Sequence, residues 1–549
     1  MQQHDLSPDK FLEDGQDKNK HLNPDFKNDF ITLEGLINDV KELIKPGEHL
    51  PHTEILQQLL ENITPIDYKV LAFPQIVDLR IQQTELQEKL KNPDGSYNGD
   101  KALDNERELL KTISCTILKL KLTEKHLLII SVENLRGLTI KNNWGLCKNL
   151  DFVYLYNGAF WKSIENKEFE KFLGETAEKM GVEKFAARYF NFREKLFKQF
   201  LATEYLPTPT PPKDVVLINL LNGTFEITTK QPILRPFNRE DFINYQLPFE
   251  YKTDAKCPLF ETYLNQVLPD KEKQSVLQEY LGYVFIQPST LKLEKTLLLY
   301  GSGANGKSVF FEIVSALLGA DNVSNYSLQS LTNDNGYFRA KLANKLVNYG
   351  SEINGSLETS IFKQLVSGEP VEARLPYGQP FILSQYAKLI FNCNDLPKDV
   401  EHNHAYFRRF LIIHFDITIP EAEQDKQLHK KIIGSELAGV FNWALVGLKR
   451  LLEKKQFTDC KAVRLAREQY EKESDSTRLF IDENGYQKSP DKHLLIKTLY
   501  LNYRIFCNDD GFKPVNKSNF MKRLKSFGVT VTKINIGNVA YLFIEPQTD

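Results

Sequence analysis

The stretch Leu297–Ser308, LLLYGSGANGKS, constrains this chain more than any other. Leu297-Leu298-Leu299-Tyr300 reads as a buried β-strand. It runs directly into Gly301-Ser302-Gly303-Ala304-Asn305-Gly306-Lys307-Ser308, the phosphate-binding pattern G-x-x-x-x-G-K-[ST]. Val309–Leu318 then has apolar residues at helical spacing and stops at Gly319. A glycine-rich turn with an incidental lysine needs neither the strand before it nor the helix after it. Gly301, Gly303 and Gly306 let the backbone curl so that N–H groups converge on phosphate oxygens, and the helix N-terminus adds partial positive charge. Lys307 is placed to reach the β- and γ-phosphates of ATP, and the Ser308 hydroxyl to ligate Mg²⁺.

At 549 residues the chain is too long for one core, so several domains are expected. The formal net charge of −2 means that any nucleic-acid binding must come from local patches. Six scattered cysteines, without a C-x-x-C pair, argue for a reducing compartment and against a zinc site or disulfide framework. The polar N-terminus has no apolar signal core, and no apolar run approaches the roughly 20 residues a bilayer needs. A cytoplasmic protein with no membrane partner is expected.

In chain order, residues 1–30 read as a disordered tail and residues 31–145 as a helical region, with helices over Ile31–Ile44, Gln75–Leu90 and Ala102–Leu122. Near Asp151 the character changes. Phe152–Tyr156, a tight Asn157-Gly158 turn and Ala159–Trp161 predict a hairpin, and Pro207–Pro212 a stiff connector. Val215–Asn219 and Asn222–Ile227 predict a second strand pair, and Phe260–Leu268 and Ser275–Phe285 helices ahead of the glycine loop.

A phosphate loop needs a carboxylate on a neighbouring strand. Lys345–Gly350 is a weak strand interrupted by Asn348, and Glu352 follows it, with Ser351 where a second acid commonly stands. Glu352 is therefore the expected base and metal-site acid, together with Ser308. A further strand, Ala387–Asn394, ends in Asn394, which could contact the γ-phosphate or simply suit the turn. Arg408 and Arg409 precede the apolar strand Phe410–Phe415, where an arginine could serve a neighbouring subunit's ATP or form an ion pair.

Taken in order, GSGANGKS, LVNYGSE, LVSGEPVEARLPYGQPF, KLIFNCNDLP and AYFRRFLIIHF resemble the superfamily 3 helicases, and more closely the phage/plasmid primase and poxvirus-type primase-helicase group. INLLNGTFEI, YKTDAKCPLFETYL and LQEYLGYVF extend the resemblance upstream and GVFNWALVGLKRLL downstream, over about residues 150–549. The resemblance implies an α/β AAA+-type P-loop ATPase domain (271–455) behind an α+β pre-helicase domain (146–270) and ahead of a C-terminal winged-helix domain (456–549). It also implies a homo-oligomeric, hexameric ring with ATP and Mg²⁺ at subunit boundaries. On this chain it assigns phosphate and Mg²⁺ binding to Lys307 and Ser308, water activation to Glu352 and the sensor role to Asn394. It assigns the arginine finger to Arg409, with Arg408 as second choice.

In the same pattern Gln364–Leu383 holds the pore hairpin, with Arg374 and Tyr377 near its tip and Lys363 nearby as candidates to hold a single strand. A surface hairpin that only packs between subunits also fits. From Phe512 to Ile544 there is no acidic residue. Lys517, Lys522, Arg523 and Lys525 are among the basic residues of this stretch, and a helix over Ser518–Phe527 is followed by strands Val529–Val531 and Val539–Phe543 about Gly537-Asn538, the order of a winged helix whose basic helix would lie on duplex DNA. No D-x-D ends a strand in residues 1–290, so no primer-synthesising site is expected. The expected function is ATP-dependent translocation on single-stranded DNA and unwinding of forked DNA during replication of a phage, plasmid or integrated element, alongside a separate primase or host replication proteins. The alternatives are an ATP-switched initiator or origin-binding scaffold, and a non-translocating defence or remodelling ATPase.

Overall fold

The computed structural model describes residues 51–93, 95–142, 145–149, 152–203, 215–227, 232–350, 353, 358–376, 378–394, 396–397 and 403–544. The tail over 1–30, the helix over Ile31–Ile44, the proline connector, Ser351, Glu352 and Tyr377 lie outside them. The chain is a mixed α/β protein organised on a five-stranded parallel sheet. Its strands are β1 (Thr296–Tyr300), β2 (Val323–Ser324), β3 (Val347–Gly350), β4 (Lys388–Cys393) and β5 (Phe410–His414), in spatial order β5-β1-β4-β3-β2.

Both faces of this sheet are covered, which is why β1 reads as a continuous apolar run. Leu297 and Leu299 face one core, shared with Phe310, Val314 and Leu317 of the helix Lys307–Leu318 and with Val440, Phe441 and Leu448 of the helix Leu437–Lys454. Leu298, one residue out of phase, faces the other core with Phe391, Phe410, Ile412, Phe362 and Tyr406. The antiparallel strands Val216–Leu220 and Gly223–Ile227 join the first core, and Ile233–Arg235 pairs with Gly223–Ile227 as an exposed edge strand. So do the helices Pro258–Val267 and Lys271–Tyr283.

The helices Lys271–Tyr283 and Leu437–Lys454 meet backbone to backbone. A Cβ on Gly447 would overlap the Gln278 carbonyl, and one on Gly282 would come within 2.6 Å of the Leu448 Cα. Beside this crossing the fully buried Glu279 accepts hydrogen bonds from Arg450 Nε (2.6 Å), Thr458 N (2.8 Å) and Thr458 Oγ1 (2.6 Å).

The helices His52–Glu61, Glu124–Lys141, Asn166–Met180 and Phe190–Thr203 enclose a separate core with the strands Leu146–Asn149, Phe152–Tyr156 and Trp161–Ile164. The expected tight Asn157-Gly158 turn is instead a four-residue loop, with Tyr156 paired to Trp161. Asn157 Oδ1 accepts from the Ala159 and Phe160 N–H groups (3.0 Å each), which stabilises the wider loop.

Residues 476–544 form a last core around Phe480, Leu499, Tyr503, Phe520, Leu524 and Leu542. Here the expected strand boundaries are corrected. The strands are Val531–Ile534 and Gly537–Ala540, so the turn is Asn535-Ile536 and Gly537 opens the second strand at φ 124°. Val529 is not in a strand; its N–H binds the Leu524 carbonyl (3.0 Å) and closes the helix Lys517–Ser526. Among the described residues no helix is long and apolar enough to cross a membrane.

Candidate functional site

The glycine loop leaves β1 at the carboxyl edge of the sheet and is tied down from several sides. Gly301 N donates to the Cys393 carbonyl at the end of β4 (3.2 Å). Asn305 Nδ2 donates to the Phe415 carbonyl just after β5 (3.0 Å), and Ile419 N to the Ala304 carbonyl (2.9 Å). Tyr263 OH donates to the Gly306 carbonyl (2.8 Å). Gly306 has φ 90°, and a Cβ there would meet Val267 Cγ1 at 2.8 Å, so this position needs glycine on both counts. Gly303, at φ 106°, would meet nothing within 4 Å; it lies bare along the cavity.

Lys307 opens the following helix. Its Nζ donates to the Gly301 carbonyl (2.6 Å) and to Asn305 Oδ1 (3.0 Å), and burial lowers its pKa below the usual lysine value. Ser308, next along, is exposed on the wall of a cavity of about 620 Å³. Gly303–Val309, Asn392, Asn394, Tyr263, Gln266 and the segment Ile419–Leu428 contribute to its lining. That volume suits a drug- or nucleotide-sized ligand.

The structure brings Lys307, Ser308 and Asn394 to one cavity, together with Gly303, Ala304, Asn305 and Gly306 of the loop, whereas Gly301 and Ser302 do not contribute to its lining. Sequence reasoning missed Asn392, which shares the wall and takes a hydrogen bond on Oδ1 from Tyr349 OH (3.0 Å). The two-residue period of a strand was the available signal, because residues 392 and 394 share a face. Tyr263, Gln266 and the 419–428 segment had no motif to reveal them. Glu352 follows β3 by two residues in sequence and lies outside the described residues.

Arg408 and Arg409 stand elsewhere. They precede β5, which runs parallel to β1, with Phe410 opposite Thr296. They therefore sit at the amino edge, about 15 Å of strand away from their own cavity. Arg409 is buried; its guanidinium donates to Ser367 Oγ (2.9 Å) and to the Ala405 carbonyl and pairs with Glu294 (3.4 Å). Arg408 also pairs with Glu294, but 41% of its side chain is exposed. Between them Lys295 donates to the Arg408 carbonyl; burial, then Arg467 and Arg408, hold its amine down at about 8.

The hairpin expected within Gln364–Leu383 is present, as Val371–Ala373 paired with Phe381–Leu383. Arg374 folds back from it: Nε donates to the Asn335 carbonyl (3.1 Å) and the guanidinium lies 5.0 Å from the Tyr337 ring centre. Lys363 is half-buried on the preceding helix. On the C-terminal helix Lys517, Lys522 and Lys525 are exposed. Arg523 turns inward and pairs with the buried Asp475 (3.0 Å), so it joins that helix to the start of Ser476–Glu483.

Residues 299–409 match a family profile described as a family of unknown function (DUF5906), and residues 136–269 match one described as D5 N terminal like. A protein of Acanthamoeba polyphaga mimivirus, named as a candidate helicase, is 25% identical over 228 residues, which cover 39% of this chain. The matched part spans only 23% of that relative's length. Solved apo structures of the NrS-1 C-terminal region align over 75–76% of this chain and 98–99% of theirs, at 12% identity and TM-scores of 0.39–0.41.

Proposed function

We propose that this chain is an ATP-driven DNA helicase of the superfamily 3, primase-helicase type, acting as a ring of identical subunits. The observation that carries the reading is the cavity at the carboxyl edge of the parallel sheet. There a glycine loop between strand and helix presents Lys307 and Ser308 beside Asn392 and Asn394. The strand order β5-β1-β4-β3-β2 supports an AAA+-type domain, and the helices with the 531–540 hairpin support a winged helix at the C-terminus. The D5 N-terminal-like stretch and the helicase-named viral relative support a role in DNA replication.

The loop suits a triphosphate. Its backbone is bare at Gly303, closed at Gly306 against Tyr263 and Val267, and backed by a buried lysine and the first turn of a helix. Ser308 and Glu352 are the groups the chain offers to Mg²⁺, which would neutralise phosphate charge. Asn392 and Asn394 would orient water or the γ-phosphate. Arg408, exposed on the opposite edge, would complete a neighbouring subunit's site, with Arg409 as its buried support.

Lys307→Ala is expected to abolish ATP hydrolysis and strand displacement on forked DNA while sparing single-strand binding. Unwinding at the wild-type rate by that variant refutes the reading. The exposed Lys517, Lys522 and Lys525 also favour a second reading, an ATP-switched initiator that grips origin duplex. Duplex binding without strand displacement by the wild-type chain would select it.

A further inference from the structure

A second cavity, of about 120 Å³, lies at the amino edge of the parallel sheet, across the sheet from the glycine loop. Its walls come from separate parts of the chain. Val216 belongs to the antiparallel strands, Phe242 and Tyr245 to the segment that follows them, Phe285 and Ile286 stand just beyond the helix Lys271–Tyr283, and Leu346 precedes β3. Gln287 and Gln385, both exposed, close its mouth through a hydrogen bond from Gln385 Nε2 to Gln287 Oε1 (3.2 Å). The space approaches that of an apolar cavity of roughly 150 Å³, which is enough to hold benzene.

Two donors without a protein acceptor line these largely apolar walls. Lys388 is the first residue of β4, and its Nζ lies over the Tyr283 ring at 4.1 Å. Among the described residues no carboxylate or carbonyl accepts from that amine. Asp241, the one carboxylate among the described residues of the wall, is held by the Arg235 guanidinium through two hydrogen bonds (2.8 Å each). Asn344 is the second donor. Its Oδ1 accepts from Tyr154 OH (2.9 Å) and from Asn244 Nδ2, which leaves its Nδ2 without an acceptor among the described residues. Burial alone pushes the Lys388 amine down to about 7. A methionine would fill the same space with no charge to desolvate, so the amine is accounted for by an occupant that supplies its counter-charge.

We propose that this cavity binds a compact organic carboxylate, with the carboxylate on Lys388 Nζ and Asn344 Nδ2 and a short carbon chain against Val216, Ile286 and Leu346. One ammonium and one amide match a single negative charge, and the apolar walls match a carbon body that inorganic phosphate lacks. The site is separate from the nucleotide cavity, and the proposal does not rest on the helicase reading.

Binding should follow the charge on Lys388. The phenols facing it stay neutral: burial raises Tyr283 to about 12 and raises Tyr245 and Tyr386 as well. Asp241 stays paired with Arg235. Lys345 is the other amine of the wall; burial lowers it too, and its Nζ donates to the Asp321 carbonyl, so a Lys388 variant is needed to assign any pH effect.

The test is a saturation-transfer NMR titration of the full chain with sodium butyrate at pH 7 and pH 9, for wild type and Lys388→Met, with inorganic phosphate as competitor and thermal melts to verify folding. Butyrate is expected to bind wild type at pH 7. Its affinity should fall on the order of tenfold or more in Lys388→Met, and by a similar factor in wild type between pH 7 and pH 9 as the amine loses its proton. The residual binding of the variant should not change between the two pH values, and phosphate should not displace butyrate. Equal affinity in Lys388→Met, or wild-type affinity that is the same at both pH values, overturns the proposal. Displacement by phosphate overturns the carboxylate assignment in favour of an inorganic-anion site, and no binding to folded wild type shows a cavity that holds water only.

Discussion

Arg408→Ala and Arg409→Ala should have opposite consequences, although the residues are adjacent. Arg409 is buried, hydrogen-bonded to Ser367 Oγ at 2.9 Å and to the Ala405 carbonyl, and paired with Glu294 at 3.4 Å. Removing it leaves Ser367 without that donor and Glu294 with one cation fewer in a partly buried place. A hydrogen bond to a charged group and a disrupted buried pair together cost about 3 kcal/mol. With an m-value of about 2–3 kcal/mol/M for the ATPase part, the urea midpoint should fall by roughly 1–1.5 M. Arg408 is 41% exposed, so its pair with Glu294 is worth under about 1 kcal/mol, and its loss should barely move the midpoint. If Arg408 serves a neighbouring subunit's nucleotide, its alanine variant should lose about 10³-fold or more in ATP turnover while nucleotide binding persists. Mixing it with Lys307→Ala subunits should restore part of the turnover, because each mixed seam can then pair an intact loop with an intact arginine. Urea unfolding and steady-state ATPase on the two variants are sufficient. An Arg409→Ala protein of wild-type stability but without turnover, beside an active Arg408→Ala, would refute the reasoning.

Two further outcomes follow from buried charge. Lys388 is pushed down to about 7 by burial, with its Nζ over the Tyr283 ring at 4.1 Å. A lysine depressed in the folded state binds fewer protons than in the unfolded state between about 7 and its ordinary 10.5, so stability rises with pH across that window and the penalty is fully present below it. Lys388→Met should therefore stabilise the chain by on the order of 2 kcal/mol near pH 7, an advantage that shrinks toward pH 10 in paired thermal melts; a pH-independent difference would contradict it. Glu279→Ala should destabilise by about 2–3 kcal/mol, since it leaves the half-buried Arg450 and Thr458 without their acceptor, whereas Glu279→Leu with Arg450→Met should recover most of the loss. Equal denaturation midpoints for the single and double variants would sink that account.

The parts of the fold that were legible in the sequence are those where local pattern and tertiary demand coincide. β1, the glycine loop and its helix fall within one or two residues of expectation, because a doubly covered parallel strand must be apolar throughout and the loop must be glycine-rich. Asn348 shows why β3 read as weak. The side chain is fully buried, yet it accepts from Ser324 Oγ and Tyr326 N (2.9 Å each) and donates to the Tyr326 carbonyl (2.8 Å), stapling β3 to the β2 edge. Strand propensity counts such a residue as an interruption; only the fold supplies its partners. Asn157 misled in the same way, because its side chain builds a wider loop than the Asn-Gly pair implies. Arg523 read as one more cation on a basic helix, and only the distant Asp475 accounts for its inward turn. The approach of Tyr263 to Gly306 links residues 43 positions apart, a contact that no spacing rule anticipates.

The placement of the arginines has a mechanical consequence under the helicase reading. The loop with Lys307 and the exposed Arg408 occupy opposite edges of one sheet, so a single subunit cannot bring them to one phosphate; copies arranged head to tail can. Arg408 shares Glu294 with Arg409, and Arg409 holds Ser367, the last residue of the helix Thr359–Ser367. Gly368 ends that helix in a left-handed conformation (φ 64°), and three residues later the 371–383 hairpin begins. Lys292 pairs with Glu369 (3.3 Å), and Tyr386 OH donates to the Gln364 and Glu369 carbonyls (3.1 and 2.8 Å), binding both sides of the hairpin root to the same edge. A pull on Arg408 from a neighbouring nucleotide would thus reach the hairpin through one shared carboxylate and one serine hydroxyl. That path is short and made of directional bonds, whereas the route from the subunit's own cavity must cross the sheet. In a ring so arranged each hairpin would answer more directly to a nucleotide held next door than to one its own loop holds, which is the coupling such a ring would need to pass a strand from subunit to subunit.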